Sequence, residues 1–169
     1  MEEKTPTFET LLFNKDMLKS TQDTEILFKQ YELYVGLMDK VYERRNNVNT
    51  FYLSLNSALL TGLAAVLSQT TQAKTSHLWI SVAALAGIAF CVIWQQAILS
   101  SRAFIVVKYK IIRFLETRLP AKPYDIEWEM LKQGKYRYVP LSNIEKIVPL
   151  VFIGAYAVVI VGLVLLVIF

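Results

Sequence analysis

With one cysteine and one histidine in 169 residues, the chain has little from which to build metal or redox chemistry. Cys91 sits in the middle of an apolar stretch, so no disulfide framework exists, and it reads as a small apolar filler. His77 opens an apolar segment with no partner for a metal or proton role nearby in sequence. There is no HExxH, no GxSxG, no phosphate-binding glycine loop and no Cys/His cluster with metal spacing. Asp125, Glu127 and Glu129 are close in number, but residues two apart on a helix face different directions, so they read as a solvated face rather than an acid/base pair. No catalytic residue, cofactor or metal is assigned, and the expectation is that the chain is not an enzyme. A secretory signal is also missing, because roughly the first fifty residues are polar and charged where a signal needs an apolar core. Glycine and proline are scarce, 6 and 5, which leaves long stretches free of helix breakers.

Charge, too, is absent where it matters most. Three stretches of about 20 residues carry none, which is the length a helix needs to cross ~30 Å of hydrocarbon. They account for a hydrophobic content of 54% and a mean hydropathy of +0.39, too apolar for a soluble domain of this size. The expected fold is all-α and membrane-integral, with three transmembrane helices, long cytoplasmic helical extensions and a homo-oligomeric ring. Residues 1–50 form a cytoplasmic helical region. Residues 51–101 form a transmembrane hairpin with helices at about 51–68 and 77–101. Residues 102–146 hold a cytoplasmic extension and an aromatic connector, and residues 147–169 form the last span. Trp79 and Trp94 stand toward the two ends of the second span, as an aromatic belt requires. Pro149 falls near the start of the third, where a helix tolerates it.

Outside the oil, spacing supplies the next signal. Leu27, Tyr31, Tyr34, Met38 and Val41, followed by Arg45, alternate steps of four and three, the spacing of one helix face. Phe104, Val107, Ile111 and Phe114, followed by Arg118, repeat it. Both are candidate assembly stripes, and the second helix is expected to leave the membrane unbroken and run to Pro120. Nothing breaks the chain between the first stripe and the first span, so one long rod is expected there as well. A short helix is expected around Ile126 to Lys132. Phe8, Leu11, Leu12, Phe13, Met17 and Leu18 suggest a docking or interfacial helix near the start.

The first span has an unusual surface. Thr50, Ser54, Ser57 and Thr61 repeat at helical spacing, beside a strip of small residues, Ala58, Gly62 and Ala65, with Asn56 at similar depth. Small residues let backbones approach, and hydroxyls bond across helices or back to their own carbonyls. Helix packing is the commoner use of such a face, and the lining of a pore or cavity is the sharper one.

The net charge of +4 does not indicate nucleic acid, because the cations flank the spans. Residues 1–50 carry 7 Lys or Arg, residues 102–146 carry 10, and the loop between the first two spans carries only Lys74. By the positive-inside rule both basic segments and the N-terminus are cytoplasmic and the C-terminus lies on the outer side.

Three segments, YELYVGLMDKVYERRNNVNTFYLSLNSALL, FLETRLPAKPYDIEWEMLKQGKY and NIEKIVPLVF, resemble the RipA family of bacterial octameric membrane proteins. The stretch Leu119 to Trp128 is the most specific part. The resemblance covers about residues 22–155 and implies a homo-octamer in the bacterial cytoplasmic membrane, with lipids and copies of itself as partners and no catalytic residue to carry over. Two functions follow as expectations. One is a structural or scaffolding assembly of the inner membrane; the other is a channel lined by the polar face of the first span.

Overall fold

The computed structural model describes residue 12 and residues 21–69, 74–133 and 144–168, and these are helical almost throughout. Among the described residues four helices stand in chain order: α1, Thr21–Gln69; α2, Lys74–Glu116; α3, Pro123–Lys132; and α4, Ile147–Ile168. The suggested docking helix near the start, apart from Leu12, lies outside the described residues, as do the loop at 70–73 and the connector at 134–143.

α1 and α2 are single unbroken rods of 49 and 43 residues, which at 1.5 Å per residue means about 70 and 65 Å. Each is twice the thickness of the hydrocarbon layer. Each therefore has an apolar half that fits inside it and a charged half that does not. α4, with 22 residues and no charged side chain, is all span. Among the described residues three helices are long and apolar enough to cross a membrane: α1, α2 and α4.

α2 is the central element, with α1 along its length, α4 against its apolar half and α3 folded back on its charged end. Two clusters hold the bundle. In the apolar half Leu63, Ile80, Ala84, Cys91, Tyr156 and Leu163 are buried together. In the charged half Met38 packs with Ile105 and Ile112, flanked by Tyr31, Tyr34, Val41, Tyr109 and Tyr124. Ile98, Ile105 and Ile112, seven residues apart, mark the inner face of α2, and all are buried.

The helix expected to reach Pro120 ends at Glu116 and tightens through Thr117, Arg118 and Leu119, whose N–H groups bond carbonyls three residues back. α3 also begins earlier than expected, at Pro123, with proline in its first turn. Glu116, the last residue of α2, faces the start of α3 across this turn.

Candidate functional site

At mid-depth of the apolar half, three helices are tied by one polar group. Asn56 on α1 is fully buried. Its Nδ2 donates to the Tyr52 carbonyl at 2.8 Å, which fixes the amide. Its Oδ1 then accepts from the Tyr156 hydroxyl of α4 at 3.1 Å and the Cys91 thiol of α2 at 3.2 Å. Tyr156 reaches that depth because Gly87 leaves room for its ring. A methyl added at Gly87 would lie 2.6 and 2.7 Å from the two Cε carbons of Tyr156. Every polar side-chain atom in this knot has a partner, as buried polar groups in oil require.

Above the knot, toward the charged halves, aromatic rings form a layer. Tyr52 stacks on Trp94 with centroids 5.9 Å apart, and Trp94 meets Phe152 of α4 at 6.2 Å. The Trp94 indole N–H donates to Asn49 Oδ1 at 2.9 Å. One turn further out, the buried Arg45 guanidinium pairs with Glu145, just ahead of α4. A layer of rings bounded by a charge pair suits the zone where oil gives way to headgroups.

Beyond this boundary lies a clamp. The Glu116 carboxylate, fully buried, accepts from the Tyr31 hydroxyl of α1 at 2.9 Å and from the backbone N–H groups of Tyr124 and Asp125 at 2.9 and 3.0 Å. The last residue of α2 thus caps the first turn of α3 from outside, where Lys122 offers no side-chain cap. An acid at a helix N-terminus satisfies orphan donors and complements the helix dipole. Arg113 Nε donates to Asp125 Oδ1 at 2.8 Å and closes the other side of α3.

Burial pushes the Tyr31 phenol above its ordinary range, and the hydrogen bond and charge of Glu116 push it further; burial also raises Tyr124. The folded state therefore holds these protons more tightly than the unfolded chain does. Their contribution is complete below the ordinary tyrosine pKa of about 10 and is lost as pH rises beyond it. Thermal melts of the detergent-purified protein should be insensitive to these groups near neutrality and fall above about pH 10. Tyr31→Phe should flatten that alkaline limb, and an unchanged limb would exclude Tyr31 as its source.

The residues singled out from sequence divide into covered and uncovered sets. Leu27 and Met38 are buried, and Tyr31, Tyr34 and Val41 half-buried, on the face of α1 that meets α2 of the same chain. The second stripe is turned about 100° from the buried face of α2, one residue out of step with Ile105, Ile112 and Leu115. Phe104 and Val107 are 64% and 53% exposed, while Ile111 and Phe114 are half-buried. Thr50, Ser54, Ser57 and Thr61 are all exposed, and the Thr61 hydroxyl donates back to the Ser57 carbonyl at 2.9 Å. Ala58, Gly62 and Ala65 are exposed beside them, and nothing lies within 4 Å of a methyl built on Gly62. Spacing alone did not single out Tyr156, Glu116 or Glu145. Among the described residues no three His, Cys, Asp or Glu side chains gather to hold a metal ion.

Compared with known proteins, residues 28–166 match the family model described as "Octameric membrane protein family (8xMP)". No curated protein and no solved structure matches the chain.

Proposed function

From the premise that this chain belongs to the octameric membrane protein family (8xMP), we propose that it is a non-enzymatic scaffold of the bacterial inner membrane, closed into a ring by the faces its own fold leaves bare. On this reading the charged halves and the N-terminus are cytoplasmic and the C-terminus is periplasmic, which the distribution of lysine and arginine supports.

One observation carries it. Apolar side chains in the apolar halves can face lipid, but those in the charged halves cannot. There Phe28, Leu33, Phe104, Val107 and Ile126 are each more than half exposed. Contiguous apolar surface in water is stabilised by a protein partner, at about 25 cal/mol per Å2 covered. The stripe from Leu27 to Val41 already meets α2, so assembly falls to Leu33 on the far side of α1 and to Phe104 and Val107 on α2. Two different surfaces meeting head to tail make a ring when the rotation closes.

The double variant Phe104→Glu/Val107→Glu changes no side chain buried within the chain. Its helix content should match wild type, and its mass in detergent should drop from octamer to smaller species. An octamer that survives both charges would remove the proposal.

A second reading is favoured by the exposed hydroxyl line of α1. Eight copies turning Thr50, Ser54, Ser57 and Thr61 toward a common axis would line a hydrated path without a charge inside the span. Ser54→Trp in the same assay separates the readings. Loss of the octamer places this face in packing, whereas an intact octamer with altered ion leak in vesicles places it on a lumen.

A further inference from the structure

On α1, where charge gives way to oil, Lys40, Glu43, Arg44 and Asn47 stand over Val48, Phe51 and Tyr52, with Ala97 of α2 closing one wall. Together they line an open groove of about 790 Å3, a volume in the range of small-molecule sites. Its composition changes along its length. The outer end is polar with two cations and one anion, and the inner end is apolar and aromatic.

The height of the groove is set by its neighbours. Tyr52 belongs to the stack with Trp94, whose indole N–H donates to Asn49, and Arg45, next to Arg44, pairs with Glu145 ahead of the fully apolar α4. The apolar end therefore lies at the edge of the acyl layer and the cations at headgroup depth. Lys40 and Arg44 are exposed and have no hydrogen-bond or ion-pair partner among the described residues. Arg45, one residue on, is turned inward and engaged.

We infer that this groove binds an anionic phospholipid, its phosphate held by Lys40 and Arg44 and one acyl chain laid along Val48, Phe51 and Ala97. The charges fit such an occupant. Two cations against the single Glu43 leave a net positive rim, Arg offers a planar fork for phosphate oxygens and Lys a point charge. The apolar end gives a chain the surface that water could not wet. Residues at i, i+4, i+7 and i+11, namely Lys40, Arg44, Asn47 and Phe51, lie on one side of α1, so cation, amide and ring are presented in the order phosphate, glycerol and acyl chain. The inference holds whichever side of the membrane the charged halves face.

The test uses the intact oligomer in phosphatidylcholine nanodiscs with and without phosphatidylglycerol, released into the gas phase so that lipid retention and oligomer mass are read together. Wild type should retain phosphatidylglycerol in preference to phosphatidylcholine. Lys40→Gln/Arg44→Gln should lose that preference by about thirtyfold, from ~1 kcal/mol per cation at a lipid surface, with the oligomer mass unchanged. Lys29→Gln, removing a cation about 16 Å further from the membrane, should behave as wild type. Glu43→Gln, which removes the rim's only anion, should raise retention about fivefold. Unchanged preference in the double variant overturns the inference, as does unchanged retention in Glu43→Gln. A double variant that falls to smaller oligomers while keeping its lipid also overturns it and assigns the groove to a second copy of the chain.

Discussion

Gly87→Ala is expected to loosen α4 from the other two spans, lowering the unfolding midpoint of the purified protein more than any other single-methyl addition in the membrane half. The ring of Tyr156 lies against the Gly87 backbone, so the methyl has nowhere to go: its contacts with the Cε carbons would be 2.6 and 2.7 Å, against about 3.5–4.0 Å at van der Waals equilibrium. The obstruction is a rigid ring whose hydroxyl is fixed to Asn56 at 3.1 Å, and α4 must move bodily or the ring must leave. Overpacking of this kind costs about 1–3 kcal/mol. Losing the interhelical hydrogen bond adds about 0.6 kcal/mol in a membrane setting. The steric part therefore dominates, and a comparison isolates it. Tyr156→Phe, which removes only the hydroxyl, should cost well under half as much as Gly87→Ala. The double variant Gly87→Ala/Tyr156→Ala should be less destabilised than the two single effects added, because the methyl then meets no ring. Additive behaviour, or a Gly87→Ala melt superimposable on wild type, would falsify the contact.

Glu116→Ala should release α3 while leaving the three long helices assembled. Three donors lose their acceptor at once: the Tyr31 hydroxyl and the N–H groups of Tyr124 and Asp125. Bonds to a charged acceptor contribute about 1.5–3 kcal/mol each. α3 itself has no buried residue, so what remains to hold it is the Arg113–Asp125 bond and the packing of the half-buried Tyr124 against Tyr109. Amide hydrogen exchange across residues 123–132 should accelerate by roughly 100-fold, the equivalent of ~2.7 kcal/mol. Amides of α4, far from the clamp, should keep their wild-type rates. Glu116→Gln should fall between the two, because its amide nitrogen cannot accept from Asp125. Protection in α3 that survives Glu116→Ala would mean that the cap contributes nothing to holding it.

The long elements were legible from residues alone because oil is an undemanding judge of sequence. It requires about 20 uncharged residues, and α1, α2 and α4 supply them in runs that no soluble helix needs. Continuity across the membrane surface was equally plain, since no proline or glycine lies between Arg45 and Phe51 or between Ser100 and Glu116. Which face of α2 turns inward was not. Ile98, Ile105, Ile112 and Leu115 run one residue out of step with Phe104, Val107, Ile111 and Phe114, and two apolar stripes about 100° apart on one helix are indistinguishable by period. The outward stripe was the more conspicuous because it carries two phenylalanines. The ties between helices were also hidden. Arg45 and Glu145, or Asn56 and Tyr156, stand 100 residues apart, and no local pattern announces a partner at that distance. Glu116 was obscured differently: an acid in the last turn of a helix opposes its dipole, and only the position of α3 gives it a reason to be there. The segment most distinctive by resemblance, Leu119 to Trp128, contains the two backbone donors that Glu116 caps.

α1 passes through the plane of the headgroups as one uninterrupted rod, with no joint where oil meets water. About 40 Å of it stands clear of the hydrocarbon, so a lean of ten degrees imposed by a thinner or thicker bilayer swings its distal end, with the part of α2 packed on it, by about 7 Å. A lever of that length converts a small change in the surrounding lipid into a displacement larger than one helical turn at the far end.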